Sequence, residues 1–198
     1  MLKVLYEDNH IIAVVKPAGI LSQGDRTGDE SMLEMVKAYL KEKYKKPGNV
    51  FVGLLHRLDR PVQGIMLFAK TSKGASRLSE QFRNRQVEKT YHVLVSVKPK
   101  QQQGTLVNDD MVLHYQAIKP IGKYFLLKVQ IEGGKYHQIR QQLSRAGMPI
   151  VGDVKYGGQI WNNPKAIALC ATGISFVAAT VDKRVDLEIE IPLELGDN

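Results

Sequence analysis

Three short stretches of the chain carry residue types whose spacing could do chemistry. The segment Leu54-Leu55-His56-Arg57-Leu58-Asp59-Arg60-Pro61 packs three ionisable types into a few positions at the end of an apolar run. A carboxylate there can leave a sheet edge while its neighbours stay fixed in the core. The flanking Arg57 and Arg60 would hold it ionised and favour a polyanion. The same spacing also suits a surface ion-pair cluster. The second stretch is Gly133-Gly134-Lys135-Tyr136-His137-Gln138-Ile139-Arg140. Two glycines before a helix allow close backbone approach by a ligand, and the helix N-terminus favours anions. A glycine-rich turn with a solvated Arg140 reads equally well. The third is Lys89-Thr90-Tyr91. Tyr91 shares a strand face with Val93 and Val95, as an ordinary core tyrosine would. Its phenol could instead hydrogen-bond or stack beside a base at the sheet edge.

Other chemistries fail on inspection. The chain has no His-Glu-x-x-His segment and no Cys/His ligand spacing, so no zinc site is expected. It has no Walker-type or dinucleotide-type glycine loop. His56-Arg57-Leu58-Asp59 shares a pattern with the kinase catalytic loop, but no nucleotide-binding loop precedes it. A metal-dependent nuclease would show clustered carboxylates. The pair Asp109-Asp110 falls instead in an expected turn. The single cysteine, Cys170, excludes an intramolecular disulfide and reads as a small core hydrophobe.

The elements that must position these stretches are legible from pattern. His10 to Val15 reads as a buried strand ended by Lys16-Pro17-Ala18-Gly19. Ser31 and Glu34 have capping-box spacing, and Met32, Met35, Val36, Tyr39 and Leu40 make a helical apolar stripe. Strands are expected from Val50 to Leu55 and from Ile65 to Ala69. A helix capped by Thr71 or Ser72 then buries Ala75, Leu78 and Phe82. Lys89 to Val97 alternates as a strand, and further strands are expected near Met111–Ile118 and Tyr124–Ile131. A helix over about Tyr136–Ala146 should bury Ile139, Leu143 and Ala146 before Gly147 and Pro149 end it. The tail alternates from Val185 to Ile191. Strands outnumber helices, which predicts an α+β fold with a mixed, mostly antiparallel central sheet and flanking helices and loops.

A chain of 198 residues suits a single domain over 1–198, and 43% hydrophobic with 24% charged residues is ordinary globular composition. The net charge of +8 favours a polyanionic partner, because each phosphate neutralised releases counterions. No apolar run reaches the roughly 18 residues of a membrane span, and the N-terminus lacks a secretory pattern. A cytoplasmic protein is expected. No exposed apolar stripe asks for a partner subunit, so a monomer is expected.

In their order along the chain, these segments resemble the RluA-type pseudouridine synthase family over nearly the full length. Tyr6 to Gly19 is similar to that family's first strand and turn, and His56-Arg57-Leu58-Asp59 to its signature. Lys89-Thr90-Tyr91 is similar to the segment that supplies its active-site tyrosine. His137-Gln138-Ile139-Arg140, with Pro149 to Gly157, is similar to a motif carrying a basic partner for the aspartate.

The resemblance implies an RNA pseudouridine synthase acting on ribosomal or transfer RNA, with the separate N-terminal RNA-binding module of some relatives absent. Asp59 would be the nucleophile, Tyr91 would pack against a flipped uracil, and Arg140 would pair with Asp59. Arg57 would fill the vacated stack, and His56, Arg60, Lys89, Lys135 and His137 would face RNA. No cofactor or metal is implied. The alternative is a catalytically inactive RNA-binding protein on the same fold. The chain departs from the family at Val62-Gln63-Gly64, where Thr-Ser-Gly is common. It departs again at Lys135, where arginine is usual, and at Tyr136, where threonine is usual.

Overall fold

The run from His10 to Val15 folds as a strand in which Ile11 to Val14 are wholly buried, and it organises the first of two units. The computed structural model describes residues 2–192 and Leu195. One unit comprises Met1–Val87 with Ser175–Leu187, and the other comprises Glu88–Ile174 with Glu188–Asn198.

The first unit contains β1 (Lys3–Glu7), β2 (Ile11–Lys16), α1 (Met32–Lys43), β3 (Gly53–Leu54), β4 (Gln63–Ala69) and α2 (Ser72–Arg83). β2 lies between β1 and β4, antiparallel to both, with Ala13 opposite Leu67 and Val15 opposite Ile65. Both helices start at side-chain caps. Ser31 accepts from the Glu34 N–H at 3.4 Å, and Thr71 accepts from the Gly74 N–H at 3.1 Å. Met32, Val36 and Leu40 are the buried stripe of α1, and Leu78 anchors α2.

The second unit contains β5 (Glu88–Val95), β6 (Gln103–Asn108), β7 (Met111–Ile121), β8 (Tyr124–Glu132) and α3 (Gln138–Arg145). A 3-10 turn follows at Val154–Tyr156, then β9 (Leu169–Val177), which runs on into the first unit. There β9 is followed by β10 (Arg184–Glu188). The strand order of the second unit is β9-β5-β8-β7-β6, and the β5–β8, β8–β7 and β7–β6 pairs are antiparallel. The described residues thus form ten strands and three helices, the α+β fold with a mostly antiparallel sheet that the pattern predicts.

The structure corrects several boundaries. Only Gly53–Leu54 of the expected Val50–Leu55 strand pairs, because β4 ends at Ala69, opposite Gly53. One residue further, the Leu67 N–H donates to the His56 ring at 3.0 Å. α3 begins at Gln138 rather than Tyr136, since His137 takes a left-handed backbone at φ 55°. Ala146 is exposed, and the buried face of α3 carries Gln138, Arg140 and Gln142 beside Ile139 and Leu143. Val97 is exposed beyond the end of β5, and β10 stops at Glu188, ahead of Pro192. β1, β6 and most of β9 escape the sequence pattern altogether.

Gly74 offers a test of close packing. A Cβ there would stand 2.5 Å from the His10 carbonyl oxygen. Glycine to alanine normally favours a helix by about 1 kcal/mol. Gly74→Ala should nevertheless lower the midpoint of urea unfolding. An unchanged or raised midpoint would mean that the His10 turn yields freely.

Candidate functional site

The sequence-predicted residues fall into two sets, one in each unit. In the first, β4 and the turn after β2 together fix the loop that carries Asp59. Ser22 accepts from the Leu58 N–H at 3.1 Å and donates to the Leu58 carbonyl at 2.6 Å. The Gly19 N–H donates to the Arg60 carbonyl at 2.8 Å, and the Val62 N–H to that of Asp59 at 3.0 Å. Leu58 and Val62 are buried, so the loop is pinned by side chains on either side of Asp59. Asp59 itself is half-buried, whereas Arg57 and Arg60 are exposed. Arg60 pairs with Asp29 at 2.8 Å. The His56 ring serves the fold, stacking on Phe82 at 5.1 Å besides accepting from Leu67.

Sequence reading missed the residue beneath this loop. Lys16 has no exposed surface and points its ammonium at three carbonyls: Pro17 at 3.0 Å, Ile20 at 2.6 Å and Arg60 at 3.0 Å. An ammonium has three donors, and each finds an acceptor. Burial pushes Lys16 down to about 7; the Asp59 carboxylate opposes this and the Arg60 charge adds to it. A lysine closing an apolar strand before Pro-x-Gly was the only available signal.

In the second unit Tyr91 is buried on β5, on the face shared with Val93 and Val95. Lys89 is held inward, donating to the Gly133 carbonyl. Its ammonium is pushed down to about 8 by burial. Lys135 is exposed and pairs with Asp110.

Arg140 is not a solvated arginine. It is buried and clamped two-pronged by Asp153, Nε to Oδ2 at 2.6 Å and Nη2 to Oδ1 at 2.8 Å. Its Nη1 lies 3.1 Å from His137 Nε2. Arginine only donates, so Nε2 accepts and the His137 proton sits on Nδ1, facing the Tyr156 hydroxyl at 2.9 Å. Two buried glutamines steady the helix. Gln138 donates to the Val112 carbonyl, and Gln142 to those of Leu106 and Met111. Asp153 was legible as part of a motif, but its role was not.

Two tests follow from these contacts. Between about 7 and the ordinary lysine value of 10.5, the unfolded chain holds a proton that folded Lys16 lacks. The contribution of Lys16 to stability therefore rises with pH across that window. Lys16→Met should flatten the rise in urea-unfolding free energy, and an identical slope in the variant would contradict the assignment. Asp153→Ala strands the Arg140 charge and should cost about 3–5 kcal/mol of stability by the same measurement.

One unit thus presents a carboxylate on an anchored loop, the other a buried arginine oriented by Asp153, and the chain carries a net charge of +8. The family model for RNA pseudouridylate synthase matches residues 10–145, which include Asp59, Tyr91 and Arg140, and the chain belongs to that family. Among curated relatives, ribosomal large subunit pseudouridine synthase C of Rickettsia bellii is 31% identical over 96% of this chain and 68% of its own. tRNA pseudouridine synthase C of Pectobacterium carotovorum is 28% identical over 79% of this chain. That match spans about half, 48%, of the relative. The solved structure of human RNA pseudouridylate synthase domain containing 4 shares the fold. Its TM-score is 0.80 at 22% identity, covering 98% of this chain and 90% of that one.

Proposed function

We propose that the protein is an RNA pseudouridine synthase, an isomerase that converts uridines of ribosomal or transfer RNA to pseudouridine, with Asp59 as nucleophile. The observation that carries the reading is Asp59 on its anchored loop, within a span that matches the family model. The relatives' names supply both RNA classes, and the net charge of +8 suits either.

The reaction is balanced without a co-reactant. The bond from C1′ to N1 of the uracil breaks, the base turns, and a bond from C1′ to C5 forms. C5 loses a proton and N1 gains one, so substrate and product are isomers. A stacked uridine must first leave the helix, and exposed Arg57 is suited to fill the space behind it. The Asp59 carboxylate either attacks covalently, in a bond that breaks again as the base is rejoined through C5, or assists departure of the base, as carboxylates do where positive charge develops on a sugar.

Arg140 is the partner we assign to that carboxylate. Asp153 fixes its plane, so its remaining geometry is set before substrate arrives. Tyr91 packs against the turned base and is our candidate for the late proton removal at C5. Arg57, Arg60, Lys135 and His137 face the RNA, while His56 and Lys89 serve it through the loops they hold. Among the described residues no helix is long and apolar enough to cross a membrane. We infer a monomer of one catalytic domain working in the cytoplasm.

The test is tritium release from transfer and ribosomal RNA labelled at C5 of uridine, in excess chelator. The native protein should release label from at least one pool. Asp59→Asn should release none while retaining native unfolding behaviour and RNA affinity. Release that survives in Asp59→Asn would overturn the nucleophile assignment. Absence of release by the native protein, with RNA still bound, would favour the inactive binder.

A further inference from the structure

Tyr136 has an odd position for a large aromatic side chain. It is 72% exposed, yet it is not loose. One face of its ring lies on the His137 imidazole, with centroids 3.7 Å apart and planes inclined by 18°. His137 in turn meets the Tyr156 ring edge-on at 5.6 Å and 82°, besides its contact with the Tyr156 hydroxyl. The Arg140 guanidinium lies 5.0 Å from the Tyr156 ring centre. The result is a short aromatic ladder whose outermost rung is Tyr136 and whose inner rungs touch Arg140.

The backbone beneath the ladder is fixed. Lys89 holds the Gly133 carbonyl, the Lys135 N–H donates to Gln138 Oε1 at 3.2 Å, and the Gln138 N–H donates to the Lys135 carbonyl at 3.1 Å. The Tyr136 carbonyl accepts from Gln141 at 3.0 Å. Ordering this ring therefore costs little when a ligand arrives.

The charge around the ladder is cationic. The Lys155 ammonium stands 6.0 Å from the Tyr136 ring centre and 5.8 Å from that of Tyr156. A largely exposed ring stacked on an imidazole, with a lysine over it at cation–π distance, suits a flat ligand that carries negative charge on a neighbouring group. An unpaired nucleobase with its phosphate has that shape and charge. Stacking of this kind tolerates any base, because every base has a π-face.

We propose that Tyr136 is a stacking platform for an unpaired nucleobase of the substrate RNA next to the modified uridine, with Lys155 taking the adjoining phosphate. The inference rests on the reading of the protein as an RNA-modifying enzyme and extends it to a subsite. Base stacking at Tyr136 presses on His137, which shares its Nε2 with Arg140, so occupancy of the subsite bears on the geometry of the arginine. Larger bases gain more contact, so a purine should be preferred there over a pyrimidine.

The test uses Tyr136→Ala, Tyr136→Phe and Lys155→Ala in the full chain. Quenching of a single-stranded oligoribonucleotide carrying 2-aminopurine reports stacking directly and needs no turnover. The native protein and Tyr136→Phe should quench the probe equally. Tyr136→Ala should lose the quench and bind RNA about tenfold or more weakly. Lys155→Ala should keep the quench but flatten the salt dependence of binding by about one phosphate contact.

In tritium release, Tyr136→Ala should raise KM more than it lowers kcat, and Tyr136→Phe should restore both. Equal quenching by the native protein and Tyr136→Ala would overturn the platform, as would equal KM values. If the native protein releases tritium but does not quench, the platform fails and the enzyme reading stands. If the native protein quenches and releases no tritium from either RNA pool, the enzyme reading fails and the stacking site survives as a binding site.

Discussion

The buried amino group of Lys16 holds the Asp59 loop in place. Lys16 ends β2 in a site without exposed surface, where an unpaired charge would be intolerable. Three backbone carbonyls surround it, two from its own turn and one from Arg60. The charge can be satisfied only if the Pro17–Ile20 turn and the Asp59 loop sit together. Removing either loop would strand the lysine, and removing the lysine would strand the carbonyls. The Ser22 hydroxyl, exchanging two hydrogen bonds with Leu58, repeats the same logic with a neutral group. Asp59 is therefore placed by hydrogen bonds to the backbone of Leu58, of Arg60 and of Asp59 itself.

The second unit reaches a comparable end by a different route. There the demanding group is the guanidinium of Arg140, and a carboxylate satisfies it. A two-pronged pair fixes the plane of the guanidinium as well as its position, which a lysine in that place would not do. The pair needs α3 and the 3-10 turn at Val154–Tyr156 to be in register. Ser144, donating to the Tyr156 carbonyl at 2.7 Å, ties the same two elements independently. The left-handed His137 lies at the start of the helix, at φ 55°. Such a conformation persists where surrounding contacts over-determine it, and His137 has contacts on both ring nitrogens.

Sequence reading succeeded where pattern follows directly from burial. The apolar run of β2, the capping spacing of Ser31 and the stop after α3 all translated into structure. It failed where one residue answers to a distant partner. For Arg140 a solvated reading stood beside the ligand-facing one because the helical stripe counted only apolar residues, whereas the buried face of α3 also carries Gln138, Arg140 and Gln142. The glutamines Gln138 and Gln142 serve carbonyls near the β6–β7 turn, and no local pattern announces that. Strand β6 was invisible because Gln103 to Asn108 owes its extended form to β7 rather than to its own composition. The candidate chemistry at His56 to Asp59 was visible as spacing, but its support by Lys16 and Ser22 was not.

The loop from Gly133 to His137 is held almost wholly through main-chain atoms and through side chains other than that of Tyr136. Identity at position 136 is thus uncoupled from the stability of the fold, while identity at 140 and 153 is not. A change at 136 leaves the hydrogen bonds of the loop in place, whereas a change at 140 or 153 breaks the clamp. A substitution at 136 therefore alters the exposed aromatic surface while the Arg140–Asp153 clamp keeps its hydrogen bonds.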